Sequence, residues 1–220
     1  MTYLISTLIF AVVGTAQLNI FEIEGIFSNA HINALEGHIE EYEYTDDDLL
    51  ILQYSSQEGS AESIAELNSL LSGYDFPIGV WFGPYKISID FKQLNNFDYI
   101  GFSPGLEINN VSFDESVEKK YCTINICNFE ERKIIVSTNE GIYDNYLIVG
   151  TLGSFIENID FVISDQSIEF FKPSLFERFY IAISNPIFTY MFFVLGFALI
   201  GLELFAIGPG LMAVVGSLLV

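Results

Sequence analysis

The sequence predicts an α/β fold, a mostly parallel sheet assembled from βαβ units, followed on its C-terminal side by a transmembrane helix. Three observations carry this. Between Leu18 and Phe102, short apolar runs alternate with stretches of helical periodicity, the pattern of strands joined by crossover helices. One run, Leu49-Leu-Ile-Leu52, is apolar at every position, as a strand covered on both faces requires. Finally, Ile187 to Ile207 holds one charge, Glu203, in a run that matches the roughly 20 residues needed to cross hydrocarbon.

Residues 3–16 are a short apolar run ending in small side chains, the shape of a secretory signal cleaved after Ala16. An uncleaved N-terminal anchor is the alternative, and either reading exports the domain from residue 17 onward. Leu18 to Glu24 reads as the first strand and Asn29 to Tyr42 as a helix with Ile32, Leu35 and Ile39 on one face. Asp46-Asp-Asp48 breaks the chain before the strand at Leu49. Ser60 is placed to cap a helix lined by Ile64, Leu67 and Leu71, which Gly73 ends. Strands at Ile78–Phe82 and Tyr99–Phe102 come next. Residues 107–145 mix charged clusters, such as Asp114 to Lys120, with β-like runs such as Lys133 to Ser137, and no element is assigned there. Asp160 to Phe171 reads as a strand. Pro173 then suits the first position of an amphipathic linker helix over Ser174–Ser184, with Leu175, Phe179 and Ile183 on one face.

The expected organisation is therefore a signal peptide at 1–16, one exported domain at 17–172, the linker helix at 173–185, a transmembrane helix at 186–207 and the start of a second membrane segment at 208–220. Gly208-Pro-Gly210 separates the last two. Glu203, about one turn from that break, is read as a boundary carboxylate that reaches the interface.

Composition fits one domain joined to lipid-facing segments. Of 220 residues, 51% are hydrophobic and 21 are Phe, which excludes disorder over most of the length. The net charge is −21 and no Lys or Arg precedes Lys86. Such a surface repels nucleic acid and anionic headgroups, and it keeps a domain soluble without naming a partner. In one straight strand, Cys122 and Cys127 would point to opposite faces, so a disulfide between them needs an intervening turn. Two thiols make half a zinc site, and no cofactor is expected.

The run Asn185-Pro-Ile-Phe to Gly216 resembles the first membrane segment of the NfeD family, membrane-bound proteins of the ClpP serine-protease class. Asn185-Pro186 at the entrance, Glu203 before the Pro/Gly break, and Gly210 and Gly216 beyond it carry the resemblance. It implies a signal peptide and an extracytoplasmic ClpP/crotonase-like domain upstream, with stomatin- or flotillin-type membrane partners, self-association and a Ser-Lys endopeptidase site. In the family an Asp-Thr-Pro-Gly-Gly turn supplies oxyanion-hole amides; the matching stretch here is Ser55-Ser-Gln-Glu-Gly59. Glu58 replaces the first glycine and sets a carboxylate where a developing oxyanion needs donors. Gly59 is retained. The family nucleophile sits in a turn of small residues, and alignment back from Ser103-Pro-Gly105 puts Ser88 at that position. Its neighbours Ile87, Ile89 and Asp90 are not small, and β-branched side chains resist a strained turn. The general base would be Lys119 or Lys120, in a shortened region among Asp114, Glu115 and Glu118. A lysine facing acids keeps its proton.

His31 and His38 share a helix face seven residues apart and are expected to be surface residues and not metal ligands. Trp81 is expected in the core or at its rim. The favoured expectation is thus a non-catalytic scaffold or binding module, with an active Ser-Lys endopeptidase as the alternative.

Overall fold

The structure is a computed structural model that describes residues 17–219 apart from 43, 60, 90, 95, 144–145, 162–167, 172, 184–185 and 206–210. The signal segment, the Ser60 cap and the Gly208-Pro-Gly210 break lie outside the described residues.

The chain runs β1 (Leu18–Phe27), α1 (Asn29–Tyr42), β2 (Leu49–Gly59), α2 (Ala61–Leu71), β3 (Ile78–Phe82), β4 (Ile87–Ser88) and a 3-10 turn (Phe91–Leu94). It continues through β5 (Tyr99–Phe102), β6 (Glu107–Asn109), α3 (Glu115–Tyr121), β7 (Ile126–Asn128), β8 (Lys133–Ile135), β9 (Gly141–Tyr143), β10 (Tyr146–Ile148) and α4 (Leu152–Asn158). Last come β11 (Ile168–Phe171), α5 (Leu175–Ile183), α6 (Pro186–Phe205) and α7 (Leu211–Leu219).

Strands β11-β1-β2-β3-β5-β10-β9 form the main sheet. Every pairing in it is parallel except the β9–β10 hairpin. Parallel neighbours need crossovers, and these cover both faces. On one face Phe21, Leu50, Leu52, Val80 and Phe102 meet the apolar stripes of α1 and α2. On the other, Leu18, Ile20, Leu49, Ile51 and Trp81 pack with Phe155 of α4. All four residues from Leu49 to Leu52 are fully buried, as their unbroken apolar run requires.

The second face is shaped by glycine. A Cβ on Gly101 would lie 2.5 Å from the Phe155 ring and 2.9 Å from Trp81, and one on Gly79 would lie 3.6 Å from Phe155. β3 and β5 are bare there, and the ring fills the space.

A second sheet, β4-β6-β8-β7, occupies the region whose mixed periodicity specifies no element. Its strands are two or three residues long and draw on tertiary partners more than on a repeating pattern. The Asp114 carboxylate caps α3 by accepting from Val117 N. A turn after α3 brings Cys122 to Cys127, and the two form a disulfide with Cα atoms 5.6 Å apart.

Four boundaries differ from expectation, among them that of β2, which continues past its apolar run to Gly59. β1 runs on to Phe27 because its ladder with β2 continues through a bulge at Gly25, whose φ is +74°. The strand expected from Asp160 begins, among the described residues, at Ile168; Ile159 and Phe161 instead pack beneath the main sheet. Pro173 precedes the helix cap. Ser174 N donates to Glu177 Oε2 (2.6 Å) while Glu177 N donates to Ser174 Oγ (3.3 Å), a capping box that starts the helix at Leu175.

Among the described residues no single helix is long and apolar enough to cross a membrane; α5 and α6 together meet that test, bent by 76°. α7 folds back on α6, and a Cβ on Gly216 would come 2.7 Å from the Gly196 carbonyl oxygen. Glycine at that contact lets the two helices approach closely.

Candidate functional site

Ser88 lies on β4, flanked by Ile87 and Ile89, both buried in the main core. Burying two β-branched neighbours holds the segment extended, so Ser88 sits on a strand in parallel register with Asn109 and not in a small-residue turn. Its Oγ accepts a 2.6 Å hydrogen bond from Asn110 Nδ2. Asn110 is in the left-handed region at φ 59°, a conformation asparagine tolerates better than most residues. Arg132 Nη2 donates to the Asn110 carbonyl (3.3 Å) and Arg132 Nε to that of Val111 (3.2 Å), which holds the bend in place.

Lys119 and Lys120 close the last turn of α3, where cations complement the helix dipole. They line a cleft of about 600 Å³ with Ser116, Thr123, Tyr143 and Tyr146, and Ser88 is not among its lining residues. Lys120 Nζ stands 5.2 Å above the Tyr121 ring. Burial lowers its pKa from the ordinary lysine value. Among the described residues neither lysine forms an ion pair with the surrounding acids, and neither hydrogen-bonds Ser88.

Glu58 and Gly59 are the last residues of β2 and pair with Ile26 and Phe27 of β1. The stretch that opens into an amide-donating loop in the protease motif is ladder here. Ser56 holds the bulge opposite: its hydroxyl donates to the Gly25 carbonyl and accepts from Phe27 N at 3.3 Å. Serine, arginine and asparagine contacts of this kind span about 20 to 30 residues of chain and leave no local sequence signal. The same is true of Glu107, which receives Lys86 at 2.9 Å and Lys133 at 3.2 Å. These two lysines hold its carboxyl below the usual range and tie β8 and the residue before β4 to β6.

His31 is not a surface residue. It is buried beneath Phe27, with Nε2 3.1 Å from the Glu24 carbonyl oxygen and Nδ1 3.4 Å from Ser28 N. Those partners fit the neutral tautomer with its proton on Nε2. His38 is half-buried, stacked 4.2 Å from Phe171 with Nε2 3.0 Å from the Tyr44 hydroxyl. Burial lowers both imidazole pKa values. Both residues point into the packing between α1 and the sheet edge, which the seven-residue spacing alone does not reveal. Trp81 is in the core as expected, and its indole N–H donates to the Val149 carbonyl at 3.3 Å. Among the described residues no group of three or more His, Cys, Asp or Glu is arranged to hold a metal ion.

No protein-family profile and no curated protein sequence matches the chain. Solved structures do. The 1510-N membrane protease specific for a stomatin homologue from Pyrococcus horikoshii aligns over 78% of this chain and 100% of its own, at 9% identity and a TM-score of 0.54. A lysine-to-alanine mutant of the 1510-N membrane-bound stomatin-specific protease, in complex with a substrate peptide, aligns over 78% and 99% at 8% identity and a TM-score of 0.53. At that identity the likeness is one of fold: the chain has the ClpP-like α/β architecture of these proteases.

Proposed function

We propose that the chain is an exported, membrane-tethered module of the NfeD type whose ClpP-like domain binds a stomatin-type membrane protein without hydrolysing it. The observation that carries the non-catalytic reading is the Ser88 hydroxyl, which takes its hydrogen bond from Asn110 Nδ2 (2.6 Å) while Lys119 and Lys120 line a separate cleft. A serine nucleophile needs a base within hydrogen-bond reach to take its proton. The β1–β2 ladder through Glu58 and Gly59 supports the same reading, because a stretch held extended in a strand does not form the turn whose successive amides converge on an oxyanion.

The tether is supported by surface chemistry. Ile187, Phe188, Tyr190, Met191, Phe193 and Leu195 of α6 are all exposed in the isolated chain, a contiguous apolar surface that water does not tolerate and a bilayer does. Export is supported by the Cys122–Cys127 disulfide, which belongs to oxidising compartments. The stomatin-type partner is supported by the specificity of the structurally similar 1510-N protease. Self-association through the ClpP-like domain is part of the proposal.

A fluorophosphonate probe tests the central point. The purified intact chain, in detergent, is expected to stay unlabelled under conditions that label an active stomatin-specific protease. Labelling that Ser88→Ala abolishes would overturn the non-catalytic reading and establish the alternative, a Ser-Lys endopeptidase. One observation favours that alternative: burial lowers the Lys120 pKa, the direction a lysine base requires.

A further inference from the structure

α5 is amphipathic in the reverse of the usual sense. Ile181 turns toward the domain, while Leu175, Phe176, Phe179 and Tyr180 are exposed by 83%, 87%, 63% and 62%; Phe176, Phe179 and Tyr180 border an open apolar groove beside Ala30 and Ala34 of α1. At 100° per residue the four exposed side chains fall within one arc of the helix. A surface helix in water shows charge outward and apolar groups inward. Here Glu177 is drawn back to close the capping box with Ser174, and aromatic side chains face out.

The direction of the helix supplies the second observation. α5 and α6 are bent by 76° relative to each other. If α6 runs along the membrane normal, α5 lies in the complement of that angle, about 14° from the membrane plane. Phe, Tyr and Leu on one face of a helix lying in that plane match the boundary between headgroups and acyl chains.

From these two features we infer that α5 is an interfacial helix: Leu175, Phe176, Phe179 and Tyr180 are buried in the lipid boundary beside the chain's own anchor, and α5 holds the α1 side of the domain against the membrane. The occupant of this face is the acyl and glycerol region of the bilayer and not its headgroup charge, since a chain of net charge −21 gains nothing from anionic lipid. The inference rests on α6 being a membrane segment.

Lipid photocrosslinking of the wild-type chain in phosphatidylcholine vesicles separates the two claims. One lipid carries a diazirine near the glycerol and a second carries it near the end of the acyl chain; adducts are mapped by mass spectrometry. The shallow probe is expected to label residues 175–180 several-fold above any segment of residues 17–171, and the deep probe to label α6. Addition of salt should leave both patterns unchanged, because apolar burial is not screened. Deep adducts on α6 with none on 175–180 would overturn the interfacial helix while leaving the anchor intact, and would mean that water or another protein covers that face. Absence of adducts from both segments would overturn the anchor reading and the inference with it.

Discussion

Phe155 crosses from α4 to fill the space that Gly79 and Gly101 leave on the sheet. Because the ring is fully buried, Phe155→Ala is expected to destabilise the domain by about 3–5 kcal/mol in denaturant unfolding. Gly101→Ala drives a methyl into the same ring and is expected to cost about 1–3 kcal/mol. Combined with Phe155→Leu, its cost should fall below the sum of the two single changes, since the two sites share one contact. His31 makes stability depend on pH. Its native pKa is lowered by burial from 6.5, so below that value the unfolded chain binds protons that the folded chain excludes. Stability is therefore full above about pH 6.5 and falls as pH drops toward the native-state value. Unfolding midpoints measured from about pH 8 to pH 5 should show this decline, and His31→Gln should flatten it; His38, shifted the same way, leaves a residual slope. The helical position of His31 is readable from the sequence. Its burial is not, because it depends on the Glu24 carbonyl and the Phe27 ring meeting it from a neighbouring strand.

At the level of elements, long periodic segments and short tertiary ones behave differently. α1, β3 and β5 begin and end where the residue pattern puts them, because caps and apolar runs act within a few residues. The β4-β6-β8-β7 sheet has no such local signature. It is held by the Lys86–Glu107–Lys133 contacts and by the staple from the end of α3 to β7. Constraining a loop this short stabilises by about 2 kcal/mol in the chain-entropy account. Reduction, or Cys122→Ser with Cys127→Ser, is accordingly expected to lower stability by about that much. Amide exchange should rise first in α3 and β7, with β1 and β2 unaffected, since the main sheet does not depend on the staple. The candidate site divides along the same line. Ser88 can be located by alignment to Ser103-Pro-Gly105, whereas its partner Asn110 lies 22 residues on and reaches it only through the β4–β6 pairing.

For the whole molecule, an acidic domain is joined to a strongly apolar C-terminal region. A net charge of −21 over a chain with mean hydropathy +0.42 gives two parts that prefer different solvents. The intact chain is expected to stay with membranes after carbonate or high-salt washing and to enter solution with detergent; recovery in the aqueous fraction without detergent would remove the tether. Local pattern was sufficient for the α/β class, the strand–helix alternation to Phe102 and the apolar C-terminal run, because each depends on side chains a few residues apart. Tertiary structure alone decided the second sheet, the disulfide, the burial of His31, the hydrogen bond on Ser88 and the outward turn of the α5 apolar face. Each of these is set by groups distant in sequence or by which side of a helix meets the domain, and periodicity specifies a face without specifying what it meets.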